Sequence, residues 1–162
     1  MQNKKLTYTV EEAKKRLERY CIYQDRCHNE IERKLKDMKM IPEACEVIIM
    51  HLIEHDFLNE ERFSKSFARG KFRIKHWGKQ RIIRELKQRN ISKYNIDSAL
   101  KEINDDDYIK KLNAIALRRF ETIKEVNSYK KRQKLVNFLL YKGFESSLVY
   151  EMVSEIHQNE KK

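Results

Sequence analysis

Apolar residues return at intervals of three and four along nearly the whole chain, the spacing that lays them on one side of an α-helix. Ala13, Leu17 and Tyr20/Cys21 mark a first helix, opened by Thr9-Val10-Glu11-Glu12, which reads as a capping box. A second runs from about Cys27 to Met38 with Ile31 and Leu35 inward. Pro42 suits the first turn of a third, which continues through Val47, Ile48, Ile49 and Leu52 to about His55. Asn59 caps a fourth, with Glu60 and Glu61 favourably placed in its first turn and Phe63, Phe67, Gly70 and Ile74 on its buried side. Gly78 starts a fifth with Ile82, Ile83 and Leu86, and Ser92 caps a sixth with Ile96, Ala99, Leu100 and Ile103. Asp105-Asp106-Asp107 open a seventh that carries Tyr108, Leu112, Ile115 and Ala116. An eighth spans about Tyr129 to Tyr141 and ends at Gly143 as a C′ residue; a ninth holds Val149, Met152, Val153 and Ile156.

These helices repeat. A shift of 51 residues carries Ile31, Leu35, Met40, Cys45, Ile49 and Leu52 onto Ile82, Leu86, Ile91, Ile96, Leu100 and Ile103 without a gap. A further shift of 53 lands on Leu135, Leu139, Phe144, Val149, Val153 and Ile156. Amphipathic helices can always be slid into partial register, but six ungapped apolar matches in three copies go beyond that. The expected architecture is all-α: three tandem three-helix repeats, about nine helices, in an elongated, curved molecule. The divisions expected are a flexible arm at 1–8, repeats at 9–56, 57–104 and 105–157, and a polar tail at 158–162. The third repeat is about eight residues longer before its second helix.

Composition agrees with helices. One Pro and three Gly in 162 residues leave few tight turns of the kind strands require. With 40% hydrophobic and 38% charged residues, the core is a thin one. The opening MQNKKLTYTVEEAKK is polar and has no secretory h-region, and no apolar run approaches the roughly 18 residues of a membrane span. A cytoplasmic chain with Cys21, Cys27 and Cys45 reduced is therefore expected, free of any membrane and monomeric.

Charge changes the picture more. The formal net charge is +11, which points to an acidic partner. From Arg62 to Lys93 there are twelve Lys/Arg against one acid, Glu85. A solvated face is the usual reading of a charge run, yet here repulsion has no local relief, which favours a binding surface. Its candidate contacts are Arg69, Lys71, Arg73, Lys75, Lys79, Arg81, Arg84, Lys87 and Arg89. Glu85 is expected to pair with Arg81 or Arg89 at helical spacing and makes a poor general base. Trp77 can stack on a base, but a Trp beside a Gly at a helix start more often packs beneath the next helix. Gly78 serves a close helix approach or a positive φ.

No catalytic or cofactor motif emerges. His51-Leu52-Ile53-Glu54-His55 spells the H-x-x-E-H of some zinc proteases, but the repeat places His51 and His55 at outer polar positions. Cys21, Cys27, His28 and Cys45 include no C-x-x-C pair, and Cys45 falls on a core position of the repeat. Neither a Gly-rich phosphate loop nor a nucleophile–base set can be assembled. No metal, no cofactor and no enzymatic activity are expected.

Phe57-Leu58-Asn59-Glu60-Glu61-Arg62-Phe63, followed by Trp77-Gly78-Lys79-Gln80-Arg81-Ile82-Ile83-Arg84-Glu85-Leu86-Lys87, resembles the RecX family. Arg89-Asn90-Ile91 supplies the family's short exit motif, with Asn where Gly is more usual. The resemblance marks Phe57, Leu58, Phe63, Trp77, Gly78, Glu85 and Leu86 as structural. It spans nearly the whole chain, is most specific from Phe57 to Ile103, and is weakest over 121–128. It implies a non-enzymatic regulator of the recombinase RecA in DNA repair and the SOS response. Such a regulator binds the RecA–DNA filament in its groove and inhibits ATPase and strand exchange. The rival reading is a direct DNA-binding protein whose three-helix units act like helix-turn-helix readers, independently of RecA.

Overall fold

The computed structural model describes residues 7–162, so most of the expected arm at 1–8 lies outside the described residues. Among the described residues there are nine α-helices and no strand. They are α1 (Val10–Tyr23), α2 (His28–Asp37), α3 (Pro42–Glu54), α4 (Glu60–Arg73), α5 (Lys79–Gln88), α6 (Lys93–Leu100), α7 (Asp105–Thr122), α8 (Ser128–Lys142) and α9 (Ser146–Glu160). Side-chain caps set the starts. Thr9 accepts from the Glu12 amide at 3.1 Å, Asn59 from Arg62 at 2.9 Å, and Ser92 from Asn95 at 3.2 Å.

The helices pack in triplets, α1–α3, α4–α6 and α7–α9, through the apolar stripes that the periodicity marks. The first triplet has its own core, built on Leu17, Ile31, Leu35, Ile48 and Leu52; half-buried Tyr8 packs against it and Leu58 closes it. The second and third triplets share one continuous core, joined where the ring of Tyr108 lies 5.8 Å from Phe72 and 5.4 Å from Phe144. Burying a Leu or Ile at such positions contributes about 1.5–3 kcal/mol each. α7 is longer than its counterparts α1 and α4, and the connection through buried Ile123 supplies the rest of the third unit's extra length.

The repeat shows itself most sharply in the backbone. After the second helix of each triplet one residue turns left-handed: Lys39 (φ 56°), Asn90 (φ 57°) and Gly143 (φ 100°). Each is followed by an apolar residue whose amide reaches back five positions, Met40 to Leu35 at 3.1 Å, Ile91 to Leu86 at 3.1 Å and Phe144 to Leu139 at 3.2 Å. This is a Schellman exit, which satisfies end carbonyls and returns the chain to the core.

Several details differ from the periodic reading. In α3 the buried residues are Ala44, Ile48 and Leu52; Val47 is exposed, and Cys45 and Ile49 are only half-buried. Ile96 and Val149, the counterparts of Cys45, are buried, so Cys45 is not the core thiol its repeat position implies. On α4 the buried face is Phe63, Ser64, Ala68 and Phe72, while Gly70 is half-exposed and Ile74, at the helix end, is exposed. α9 continues to Glu160, so the polar residues from Gln158 to Glu160 extend a helix.

Gly78 and Gly143 meet. Gly78 has φ −76°, an ordinary value, so close approach rather than backbone freedom explains it. A β-carbon there would overlap the backbone of Gly143 and Phe144, and one on Gly143 would overlap Arg81. Gly70, in contrast, has open space around it. Gly143→Ala should therefore cost about 2–4 kcal/mol, from a left-handed residue given a side chain and from overlap. Gly70→Ala should stabilise by about 0.5–1 kcal/mol. Urea midpoints of the two variants should move in opposite directions; an unshifted midpoint for Gly143→Ala contradicts the proposed close packing.

Candidate partner-binding surface

The cations between Arg62 and Lys93 do not behave as one patch. Five meet carboxylates, most of them supplied from elsewhere in the chain. Arg62 reaches Asp25 at 2.9 Å and Asp56 at 3.0 Å, Lys65 meets Glu61 at 3.1 Å, and Arg69 meets Glu102 at 3.4 Å. Lys79 meets Asp105 at 3.2 Å, and Arg89 meets Glu85 at 3.1 Å, one of the two partners that helical spacing allowed for Glu85. Relief of repulsion thus comes through tertiary structure, which counting acids within the stretch could not register. At exposed sites such pairs contribute about 0–1 kcal/mol each.

Two more cations lie on aromatic rings. The Arg81 guanidinium sits 4.3 Å from the Trp77 ring and 4.9 Å from that of Tyr141, and Lys71 stands 5.0 Å from Trp77. Trp77 also meets Phe67 edge-on at 6.2 Å, so its faces and edge are engaged within the protein. Arg89 lies 4.9 Å from Phe67. Of the expected contacts, this leaves Arg73, Lys75, Arg84 and Lys87 exposed and without a carboxylate partner among the described residues.

These four are not gathered together. Arg84 and Lys87 lie one turn apart on α5 and line a shallow depression with Gln80, Ile83 and Gln88. Lys75 lines a separate groove with Lys71, Phe67 and Ile74. Ile82 and Leu86, both fully buried, fix the orientation of α5 and so turn Arg84 and Lys87 outward. Among the motif residues, Phe57 packs with Leu58 against the first core, while Phe63 and Leu86 belong to the core shared by the later units.

Arg62 and Tyr108 are positioning residues that charge and periodicity alone do not reveal. Arg62 also donates to the carbonyls of Asp56 and Phe57, tying α4 to the turn before it and to the α1–α2 connection. The Tyr108 hydroxyl donates to Glu145 at 2.6 Å and accepts from the Lys79 amide at 3.0 Å, which anchors the start of α5. Burial, and then the bond to Glu145, push the Tyr108 phenol well above its ordinary pKa of 10.0.

The H-x-x-E-H residues show no metal geometry. His51 Nε2 lies 2.7 Å from Glu18, His55 Nδ1 lies 3.0 Å from the His51 carbonyl oxygen, and Glu54 is exposed. Among the described residues no group of three or more His, Cys, Asp or Glu is placed to hold a metal ion. None of the helices is long and apolar enough to cross a membrane.

Comparison with known proteins adds the following. Residues 59–100 match the second three-helix domain of RecX, and residues 105–153 match the third. "Regulatory protein RecX" of Pseudomonas savastanoi pv. phaseolicola is 30% identical over 125 residues, covering 77% of this chain and 79% of that protein. Its counterpart in Clostridium acetobutylicum is 30% identical over 131 residues, covering 78% of this chain but 60% of that protein. The chain thus spans roughly half to three fifths of several of the curated relatives it matches. A crystal structure of regulatory protein RecX superposes with a TM-score of 0.81 at 27% identity, over 90% of this chain and 73% of that one. RecX from Lactobacillus salivarius, at 23% identity, shares the fold with a TM-score of 0.78 over 90% of this chain and 95% of that one.

Tyr108→Phe should cost about 1–3 kcal/mol, because the Lys79 amide and Glu145 both lose their partner. The parent chain holds the Tyr108 proton above pH 10.0, where the unfolded chain releases it, so this contribution is present below that pH and lost as the pH climbs past it. Equilibrium unfolding at neutral pH and above pH 10 should show the difference between the two proteins shrinking at high pH.

Proposed function

The chain belongs to the RecX family of regulatory proteins, and from that premise we propose that it regulates the recombinase RecA by binding the RecA–DNA filament in its helical groove. Binding there restrains ATP hydrolysis, strand exchange and filament growth, in the service of DNA repair and SOS control. The protein acts in the cytoplasm as a monomer, with no membrane association and no catalysis or cofactor of its own. Three joined units give a ligand long enough to touch more than one position along a filament.

The observation that best supports the reading is the pair Arg84 and Lys87, cations that face outward on α5 with no carboxylate beside them. Unpaired basic groups on a rigid helix suit both DNA phosphates and the acidic surface of a protein filament. Arg73 at the end of α4 and Lys75 in the connection after it offer further, separate contacts. Lys79, Arg81 and Arg89 contribute through the positions they hold, since each already has partners within the fold.

The double variant Arg84→Glu/Lys87→Glu should retain parental helicity and melting temperature, yet lose at least about tenfold in its ability to inhibit RecA ATPase on single-stranded DNA. Inhibition at parental strength by this folded variant counts against the surface. Binding to bare duplex DNA at physiological salt, measured beside binding to the assembled filament, distinguishes direct DNA reading: tight, sequence-selective binding to the bare duplex favours that rival.

A further inference from the structure

A cleft of about 500 Å³ opens between α7, α8 and the α4–α5 connection, away from Arg84 and Lys87. Carbon dominates its floor, which is formed by Ala114 and Ile115 of α7 and Phe138 of α8. Its rim carries Lys111, Arg118, Arg119 and Lys142, with His76 at one end, and no acidic residue lines it. Lys111, Ile115, Arg118 and Thr122 share one side of α7 because they recur every three or four residues.

The rim is held in place by the fold. Lys111 donates to the Arg73 carbonyl at 3.3 Å and lies 3.3 Å from His76 Nδ1, and Lys142 donates to the Lys75 carbonyl at 3.1 Å, so each ammonium keeps at least one donor. The Arg119 guanidinium lies 4.7 Å and the Lys142 ammonium 5.9 Å from the Phe138 ring, while Arg118 is exposed and meets no carboxylate among the described residues. Burial, and then the charges of Lys111, Lys142 and Arg118, lower the pKa of His76.

An ordinary solvated face spreads its cations or interleaves them with acids. Here four permanent cations surround a concave apolar floor with no counter-charge, at a volume within the range of small-ligand sites. The apolar floor suits an aromatic base, since stacking on such surfaces tolerates any base. The two guanidiniums and the lysines suit phosphate oxygens, for which planar, forked donors are well shaped.

We propose that this cleft binds a nucleoside phosphate, its base against Phe138 and Ile115 and its phosphates on Arg118, Arg119 and Lys142. The nucleotide arrives either free or as an unpaired residue of a single strand, and the chemistry that receives it is the same. The site lies apart from the α5 surface and does not depend on the presence of RecA.

Calorimetric titration of the full chain with ADP, with inorganic phosphate, and with ADP in the presence of a short single-stranded oligonucleotide tests the site. ADP should bind at least about tenfold more tightly than inorganic phosphate. Arg118→Glu should weaken ADP by about tenfold or more, and so should Ala114→Trp, which fills the floor without removing a charge. Arg84→Glu/Lys87→Glu should leave ADP binding unchanged. Displacement of ADP by the oligonucleotide assigns a strand nucleotide as a source, and failure to displace it assigns the free nucleotide. No measurable ADP binding, phosphate binding as tight as ADP, or ADP binding that survives both cleft variants with helicity intact overturns the proposal.

Discussion

The joint between the second and third units depends on backbone meeting backbone. The Gly78 amide donates to the Lys142 carbonyl at 2.8 Å, and the Gln80 amide to the Gly143 carbonyl at 2.9 Å. Bonds of this kind leave no space for a side chain on either strand of the contact, which is why both sides are glycine. They satisfy amides at the start of α5 that no residue within the helix can accept from. They also place α5, with its outward cations, in a fixed relation to α8 and to the cleft beside it. Tyr108 closes the same joint from α7, between Phe72 and Phe144, and makes one core out of two units.

The joint between the first and second units follows the same plan with different materials. A shift of 51 residues equates Cys27 with Gly78 and Asn29 with Gln80, and Asn90 is the counterpart of Gly143. Where Gly78 donates to a neighbouring unit, the Cys27 amide donates to Glu30 of its own helix at 2.9 Å. The contact passes instead through side chains: Asn90 to Asn29 at 3.5 Å, Arg62 to Asp25, and His28 to Glu60 at 3.3 Å. Cys27 itself is fully buried and joins the core of the later units. Side chains at these positions hold the backbones apart, so the first triplet keeps its own core.

Much of this was legible in the sequence because apolar spacing reports directly on burial. Leu35, Leu86 and Leu139, equated by shift alone, are all fully buried, and Asn90 and Gly143 are read correctly as helix exits. Lys39 escaped notice as the third exit because a lysine gives no sign of a left-handed turn. The inward residues of α3 escaped as well: Cys45 and Ile49 are apolar, but so are Ala44 and Ile48, and a helix apolar on several sides does not declare which one faces inward. The charge run was legible only as composition. Its carboxylate partners Asp25, Asp56, Glu102 and Asp105 lie outside the stretch and come near only on folding. The cleft draws on three separate elements, so no single stretch of the sequence declares it.

The difference between the two joints has a mechanical side. Glycine contacts and a common core make the second and third units a stiff block, because moving one against the other breaks backbone hydrogen bonds and exposes Tyr108. The first unit is joined through buried Cys27 and through partly solvated ion pairs, among them those of Arg62. Such attractions weaken as salt shortens the Debye length, whereas apolar contacts do not follow that rule. Rising ionic strength therefore weakens the ion pairs at the first joint while sparing the backbone contacts and the shared core at the second.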